Sequence, residues 1–348
     1  MLEGFIMCGD VPVATFSGRI VTTINPDLAP LCFRNGGGLN TWLESRAIDR
    51  HRTNSRALKR LLRLGDTSDT STALRVHGAT ITDNYWVKLS SESLCWDDVC
   101  FSTDYFADVA LTGSADSLTR YYSEEQLTSP TPELTNVGSY EKCWRIIDGQ
   151  WTLIKRGKTE ELFSELFTAE LGIRLGFPMA QYREIAGNIA TPDFTDGCVN
   201  FEPMANLMGD NEEYVDNYKI LMNIAPHVVK QYLDILFMDA LVFNPDRHTQ
   251  NYGVLRNRKD GIILSMAPNF DNNMALISRG YIPDISKASN MLIPMFHELL
   301  EDAGITYEYP CLSEDVVKDI AFSIMPHADI DRDYVVRFVM ENYKKLKM

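Results

Sequence analysis

Positive charge is what this chain has least of: 33 Lys and Arg stand against 48 Asp and Glu, a formal net charge of −15. That balance argues against nucleic acid as the main ligand, because phosphate backbones are bound through surplus Lys and Arg. Long apolar runs are missing as well. The longest, such as "DILFMDALVF", are interrupted by aspartates and fall short of a membrane helix, so no span and no membrane partner are expected. The segment "MLEGFIMCGDVPVATFSG" has Glu3 and no basic residue ahead of its apolar positions, unlike a secretory signal, and a cytoplasmic protein is the expectation.

Paired cysteines are lacking too. The seven, at 8, 32, 95, 100, 143, 198 and 311, are odd in number and scattered without a CxxC, which suits a reducing compartment better than a disulfide framework. "CWDDVC" at 95–100 has no matching Cys or His pair, so zinc is not expected. No internal repeat is visible, and neither GxGxxG nor GxxxxGK[ST] occurs.

What is present is enough apolar material, 45% of 348 residues, to fill two lobes. The first 130 residues mix β-rich pieces, "VPVATFSGRIVTTI" and "ALRVHGATITDNYWVKL", with a helical candidate, "NTWLESRAIDRHRTNSRALKRLLRLG". Arg46, Arg50, Arg52, Arg56, Lys59, Arg60 and Arg63 form a basic cluster on it, read as a solvated helix face or a docking surface. Residues 124–136, "EEQLTSPTPELTN", are rich in Pro, Ser and Thr and read as a linker or long loop. Beyond them come two strand-like runs, "KCWRIID" and "QWTLIKR", with a hairpin signal at Asp148, Gly149 and Gln150, and "TEELFSELFTAELGIRLG" has helical spacing. After Asn217 the pattern is mainly helical. The division expected is 1–130 as a mixed α/β region, 131–205 as a sheet and helix, and 206–348 as a helical lobe.

Chemistry concentrates in "NPDRHTQNYG", residues 244–253, a polar loop hung from the apolar helix "HVVKQYLDILFMDALVF". Asp246 and Asn251 lie in it. A hairpin formed by "YGVLRN" and "GIILSMAPNFD" would return Asp271 beside Asn251. Asp, Asn and a second Asp supply the hard oxygens that Mg²⁺ takes when phosphates complete its shell, with one carboxylate left to meet a hydroxyl. Phosphoryl transfer needs that division: Asp246 as base, Asn251 and Asp271 as metal ligands. Each alone could as well cap a turn. For the nucleotide, the loop at Gly138 and Ser139 is a weak phosphate-loop signal, whereas alternation along "WTLIK" lets Lys155 project inward. Glu161 and Glu165, four residues apart on a helix, could each hold that lysine, Glu161 being preferred.

Together, "GSYEKCW", "WTLIKRG", "EELFSELFTAELGI", "NPDRHTQNYGVL" and "APNFDNN", in that order across Leu134 to Leu276, resemble the HipA-like serine/threonine kinases, relatives of the phosphatidylinositol 3- and 4-kinases. The resemblance implies an α/β (α+β) two-lobed, protein-kinase-like fold: a mixed N-terminal lobe with an antiparallel sheet and a mainly helical C-terminal lobe. It implies Asp246 as catalytic base, Asn251 and Asp271 on Mg²⁺, Lys155 on the ATP phosphates, Gly138 to Lys142 as the loop over them and Glu161 as the helix glutamate. The connector Cys198–Pro203, with Phe201, would meet the adenine through its backbone. ATP and Mg²⁺ are the cofactors implied, a protein Ser or Thr the acceptor, and a small DNA-binding antitoxin the partner. Thr135 or Ser139, beside the loop, would be autophosphorylation sites. Transfer to a lipid or small-molecule hydroxyl, and a non-catalytic nucleotide-binding module, are the alternatives.

Overall fold

In the computed structural model, which describes residues 2–34, 36–65, 67–114, 116, 121–287 and 289–348, antiparallel sheets alternate with many helices. The chain forms two compact units. The first comprises Met1–Arg156, Ala190–Glu202 and Leu255–Ile263; the second comprises Gly157–Ile189, Pro203–Val254 and Leu264–Met348.

Four strands open the first unit: β1 (Glu3–Cys8), β2 (Val11–Ser17), β3 (Ile20–Thr23) and β4 (Tyr85–Leu89), in the order β3-β2-β1-β4. Successive side chains on a strand point to opposite faces, and here both faces are covered. Ile6, Tyr85 and Val87 enter one core with Phe16, Trp42 and Leu43, while their neighbours Met7 and Trp86 enter another with Leu58, Phe106 and Leu134.

The single helix expected across 40–65 is two: α1 (Leu39–Glu44) and α2 (Ser55–Leu61). The polar run Asp49–Asn54 interrupts it, because such residues compete for the backbone in turns. The basic cluster divides accordingly. Arg46, Arg52 and Lys59 are buried, whereas Arg50, Arg56, Arg60 and Arg63 are exposed. Arg46 lies 4.5 Å over the Trp42 ring and donates from Nε to Gly78 O (2.6 Å) and from Nη2 to Asp83 Oδ1 (2.7 Å). Within "ALRVHGATITDNYWVKL" only β4 is strand; Ala73 and Leu74 close the helix α3 (Asp69–Leu74).

The expected linker at 124–136 is ordered structure. A short helix over Glu124–Thr128 is capped by Ser123, and Pro132–Thr135 form a 3₁₀ turn that is wholly buried. Glu133 explains why this polar segment stays inside: its carboxylate accepts from Trp144 N (2.7 Å) and Asn136 Nδ2 (3.1 Å). The next hairpin pairs β5 (Lys142–Ile147) with β6 (Gln150–Lys155). Its turn residues Asp148 (φ 52°) and Gly149 (φ 81°) adopt the left-handed pair that a two-residue hairpin loop requires.

The second unit is helical. It contains α4 (Thr159–Arg174), α5 (Tyr214–Ile224), α6 (Val229–Val242), α7 (Leu292–Ala303), α8 (Glu314–Ser323) and α9 (Arg332–Leu346). Helix α6 is apolar nearly all round and buried, as a central helix should be. Ser313 and Asp331 cap α8 and α9 through their side chains, accepting from Val316 N and Tyr334 N.

Strand β7 (Arg183–Ile185) lies within the second unit, whereas β8 (Asn188–Pro192), β9 (Val199–Pro203), β10 (Gly253–Asn257) and β11 (Ile263–Met266) each contain a boundary between the units. No helix among the described residues is long and apolar enough to cross a membrane.

Candidate functional site

The loop that follows α6 begins with an unusual helix end. Phe243, not glycine, takes the left-handed conformation (φ 52°, ψ 66°), and both its N–H and that of Asn244 donate to Asp239 O. A bulky residue in that region is strained by about 1–2 kcal/mol, a cost seen where a loop must leave its helix in one direction.

Arg247 organises what comes next. Its guanidinium is buried and donates to Asp239 Oδ1 and Oδ2 (2.9 Å each), Asn251 O (2.7 Å), Phe270 O (2.6 Å), Asn269 Oδ1 (2.8 Å) and Asn272 Oδ1 (2.7 Å). These partners come from α6, from the loop itself and from the segment after β11, so one planar, five-donor group gathers all three. Burial works against its charge, but the Asp239 carboxylate prevails and holds the guanidinium above its ordinary pKa. Asn244 completes the net, donating to Asp239 Oδ1 (3.2 Å) and Asn272 Oδ1 (3.3 Å) while accepting from Asp246 N (3.3 Å).

Asp246, Asn251 and Asp271 are brought together on this frame. Asn251 Nδ2 donates to Asp246 O at 2.9 Å, so its oxygen is the atom it can offer a cation. Asp271, immediately after the Phe270 carbonyl that Arg247 holds, is also left-handed (φ 61°), a conformation Asp tolerates. Asp246 and Asp271 are half-buried, in contrast to their buried frame. Asp246 is raised above the usual carboxylate range, first by burial and further by the negative charge of Asp271, with His248 and Arg247 pulling the other way. Two carboxylates that repel each other, beside an amide oxygen, form a set of hard donors that fits Mg²⁺.

Of the two helix glutamates, Glu161 accepts from Lys158 N (2.8 Å) and so closes the start of its own helix. Glu165, fully buried, accepts from Asn272 N (2.8 Å), one residue beyond Asp271. Asn269 and Asn272 each keep a buried side-chain nitrogen without a partner among the described residues, at a cost on the order of 1–3 kcal/mol apiece.

The other expected residues belong to the first unit. Lys142 and Lys155 are directly opposite each other on β5 and β6, and both are buried. Like charges in register disfavour a hairpin unless anions answer them. Gly138, with φ 108°, occupies backbone space that favours glycine, and a Cβ there would press on Lys142 Nζ. Ser139 is exposed. Thr135 is buried with its hydroxyl donated to Ala79 O (2.6 Å), so the expected modification at Thr135 does not fit this structure. In the connector, Phe201 N donates to Thr82 O (2.9 Å) and the Phe201 ring meets Phe194 edge-on at 5.6 Å. That amide is already engaged.

Asp239, Asn244, Arg247 and Asn272 carry no role in the sequence reading. The available signal was Asp239 itself, a carboxylate in the middle of an apolar helix, which must have a buried partner.

No family model matches the sequence, and neither does any curated protein. Similar folds are found among solved structures. HipA, from the Shewanella oneidensis MR-1 toxin–antitoxin complex of HipA, HipB and operator DNA, aligns over 100% of this chain and 97% of its own, with 12% identity and a TM-score of 0.59. The Helicobacter pylori proinflammatory kinase CtkA aligns over 60% of this chain and 88% of its own, with 15% identity and a TM-score of 0.46. The mixed, kinase-like fold expected from the motifs is thus the fold observed, shared with HipA end to end.

Proposed function

We propose that this chain is an ATP- and Mg²⁺-dependent kinase that transfers the γ-phosphate to a Ser or Thr hydroxyl of a protein. The observation that carries the reading is the assembly of Asp246, Asn251 and Asp271 around the buried Arg247. The HipA-like fold, spanning the whole chain, supports it.

Asp246 takes the role of base: it orients the acceptor hydroxyl and receives its proton. Burial and Asp271 raise its proton affinity, the direction that helps a carboxylate accept a proton near neutral pH. The Asn251 oxygen and the Asp271 carboxylate hold Mg²⁺, which when bound neutralises charge on the phosphates. Lys142 and Lys155 supply cationic partners for phosphate oxygens, and the loop at Gly138 and Ser139 covers them. Phe201 stays the candidate for the adenine connector through groups other than its engaged N–H.

Calorimetry with ATP and Mg²⁺, followed by label transfer from γ-labelled ATP to a generic protein substrate, tests this. Transfer that Asp246→Asn abolishes is the expected result. Transfer only to lipid or small-molecule hydroxyls replaces the acceptor class, and binding without any transfer replaces the kinase with a nucleotide-binding module. HipA in the Shewanella complex is bound to HipB and DNA; by extension we assign this chain a small DNA-binding protein as partner, to be sought by co-purification from its native host. A cytoplasmic location goes with that reading.

A further inference from the structure

Resting on the kinase reading, we infer that Arg52 is the positioning residue that holds the 136–142 loop in the shape that receives the nucleotide phosphates. Arg52 belongs to the interrupted basic helix, yet it is 1% exposed. Its Nη2 donates to Asn136 O (2.5 Å) and Gly138 O (2.8 Å), its Nε to Gly138 O (3.0 Å), and its Nη1 to Lys142 O (3.4 Å). One guanidinium therefore ties down both ends of the loop and its glycine.

Polarity makes this more than packing. The loop's carbonyls at 136, 138 and 142 are drawn to a buried cation, whereas the amides of Val137, Gly138 and Ser139 have no partner among the described residues. A turn with its oxygens neutralised and its N–H groups left over is the arrangement that backbone anion sites use. Glu133 secures the base of the loop from the other side, through Asn136 Nδ2 and Trp144 N.

Arg52 is in turn held by its own turn: its N–H donates to Asp49 O (3.1 Å) and its carbonyl accepts from Ser55 N (3.1 Å). Close by, Ile48 N donates to Leu134 O (2.8 Å). The role of the N-terminal region, which no motif explains, follows: residues 48–55 are the brace of the phosphate loop. Lysine cannot replace this group, because a single ammonium cannot span three carbonyls.

The test compares wild type with Arg52→Lys and Arg52→Gln. KM for ATP should rise about tenfold in Arg52→Lys while kcat holds within about twofold, the sign of lost ground-state binding. Calorimetric ATP affinity should fall in parallel. A role in folding alone would lower the melting temperature and leave KM for ATP in place; that result in a folded variant overturns the proposal. Should neither variant fold, ¹⁵N relaxation of the nucleotide-free wild type decides: order parameters at Gly138 and Ser139 near the rigid value of about 0.85 support the brace, and values below about 0.6 overturn it. A wild type that binds no ATP overturns the kinase reading and this inference with it, whereas ATP binding that the folded Arg52 variants share undiminished overturns this inference alone.

Discussion

Arg247 and Asp239 meet through two N–H···O bonds of 2.9 Å each, with both side chains shut off from solvent. This two-pronged geometry is the strong form of an ion pair, and here it hangs the 244–253 loop on α6.

Removing one partner should therefore cost far more than a surface pair would. Asp239→Ala leaves a buried guanidinium without its counter-ion, and the unfolding free energy should drop by about 3–5 kcal/mol in urea denaturation. Asp239→Asn, which keeps one acceptor, should lose less.

Asp246→Asn should reduce phosphoryl transfer by about 10²–10⁴-fold, the usual worth of a positioned base, with ATP affinity retained. Stability should move the other way. Because the folded carboxyl sits above its unfolded pKa, its favourable contribution is complete below the unfolded pKa and disappears as pH rises through the folded one. At neutral pH the Asn variant should be at least as stable as wild type, and thermal melts across the acid range should show the two converging as pH falls.

Asp271→Asn keeps a left-handed-tolerant residue but withdraws a charge from the metal oxygens. The Mg²⁺ concentration for half-maximal activity should rise by about tenfold or more, read from a magnesium titration at saturating ATP.

Glu133 gives a second pH signal. Burial pushes its carboxyl from 4.5 up to about 7. The stability it contributes is full below about pH 4.5 and is lost as pH rises through about 7. Urea midpoints of wild type should decline between pH 5 and pH 8, and Glu133→Gln should flatten that slope. An unchanged slope in the variant would show that other groups titrate there.

Much of this site can be read from local spacing. Asp148 and Gly149 announce their hairpin, the 159–174 helix follows its apolar period, and the run before Asn244 demands a buried helix. Those features depend on residues a few positions apart. Arg247 does not: its partners at 239, 251, 269, 270 and 272 are chosen by packing across some thirty residues, and nothing local distinguishes it from any other loop arginine. Arg52 is harder still, since it sits among arginines that do face solvent and reaches carbonyls more than eighty positions away. The Pro- and Thr-rich 124–136 segment misleads for a related reason. Its composition is that of a loop, and distant partners hold 132–135 inside: Leu134 packs with Met7 and Trp86, Thr135 donates to Ala79 O, and the buried Glu133 has two donors brought to it.

Arg256 sets the order in which the protein can be completed during synthesis. It is buried in the first unit against Glu202, Tyr85 Oη, and the carbonyls of Ala29, Asp27 and Gly261. Until residue 256 leaves the ribosome, the Glu202 carboxylate, Tyr85 Oη and the Ala29 and Asp27 carbonyls wait without their cation, so half of the second unit emerges before the first is whole. Truncation at any point before Leu255 would strand an unfinished N-terminal half, and a nascent chain stalled there is where a chaperone should be found bound.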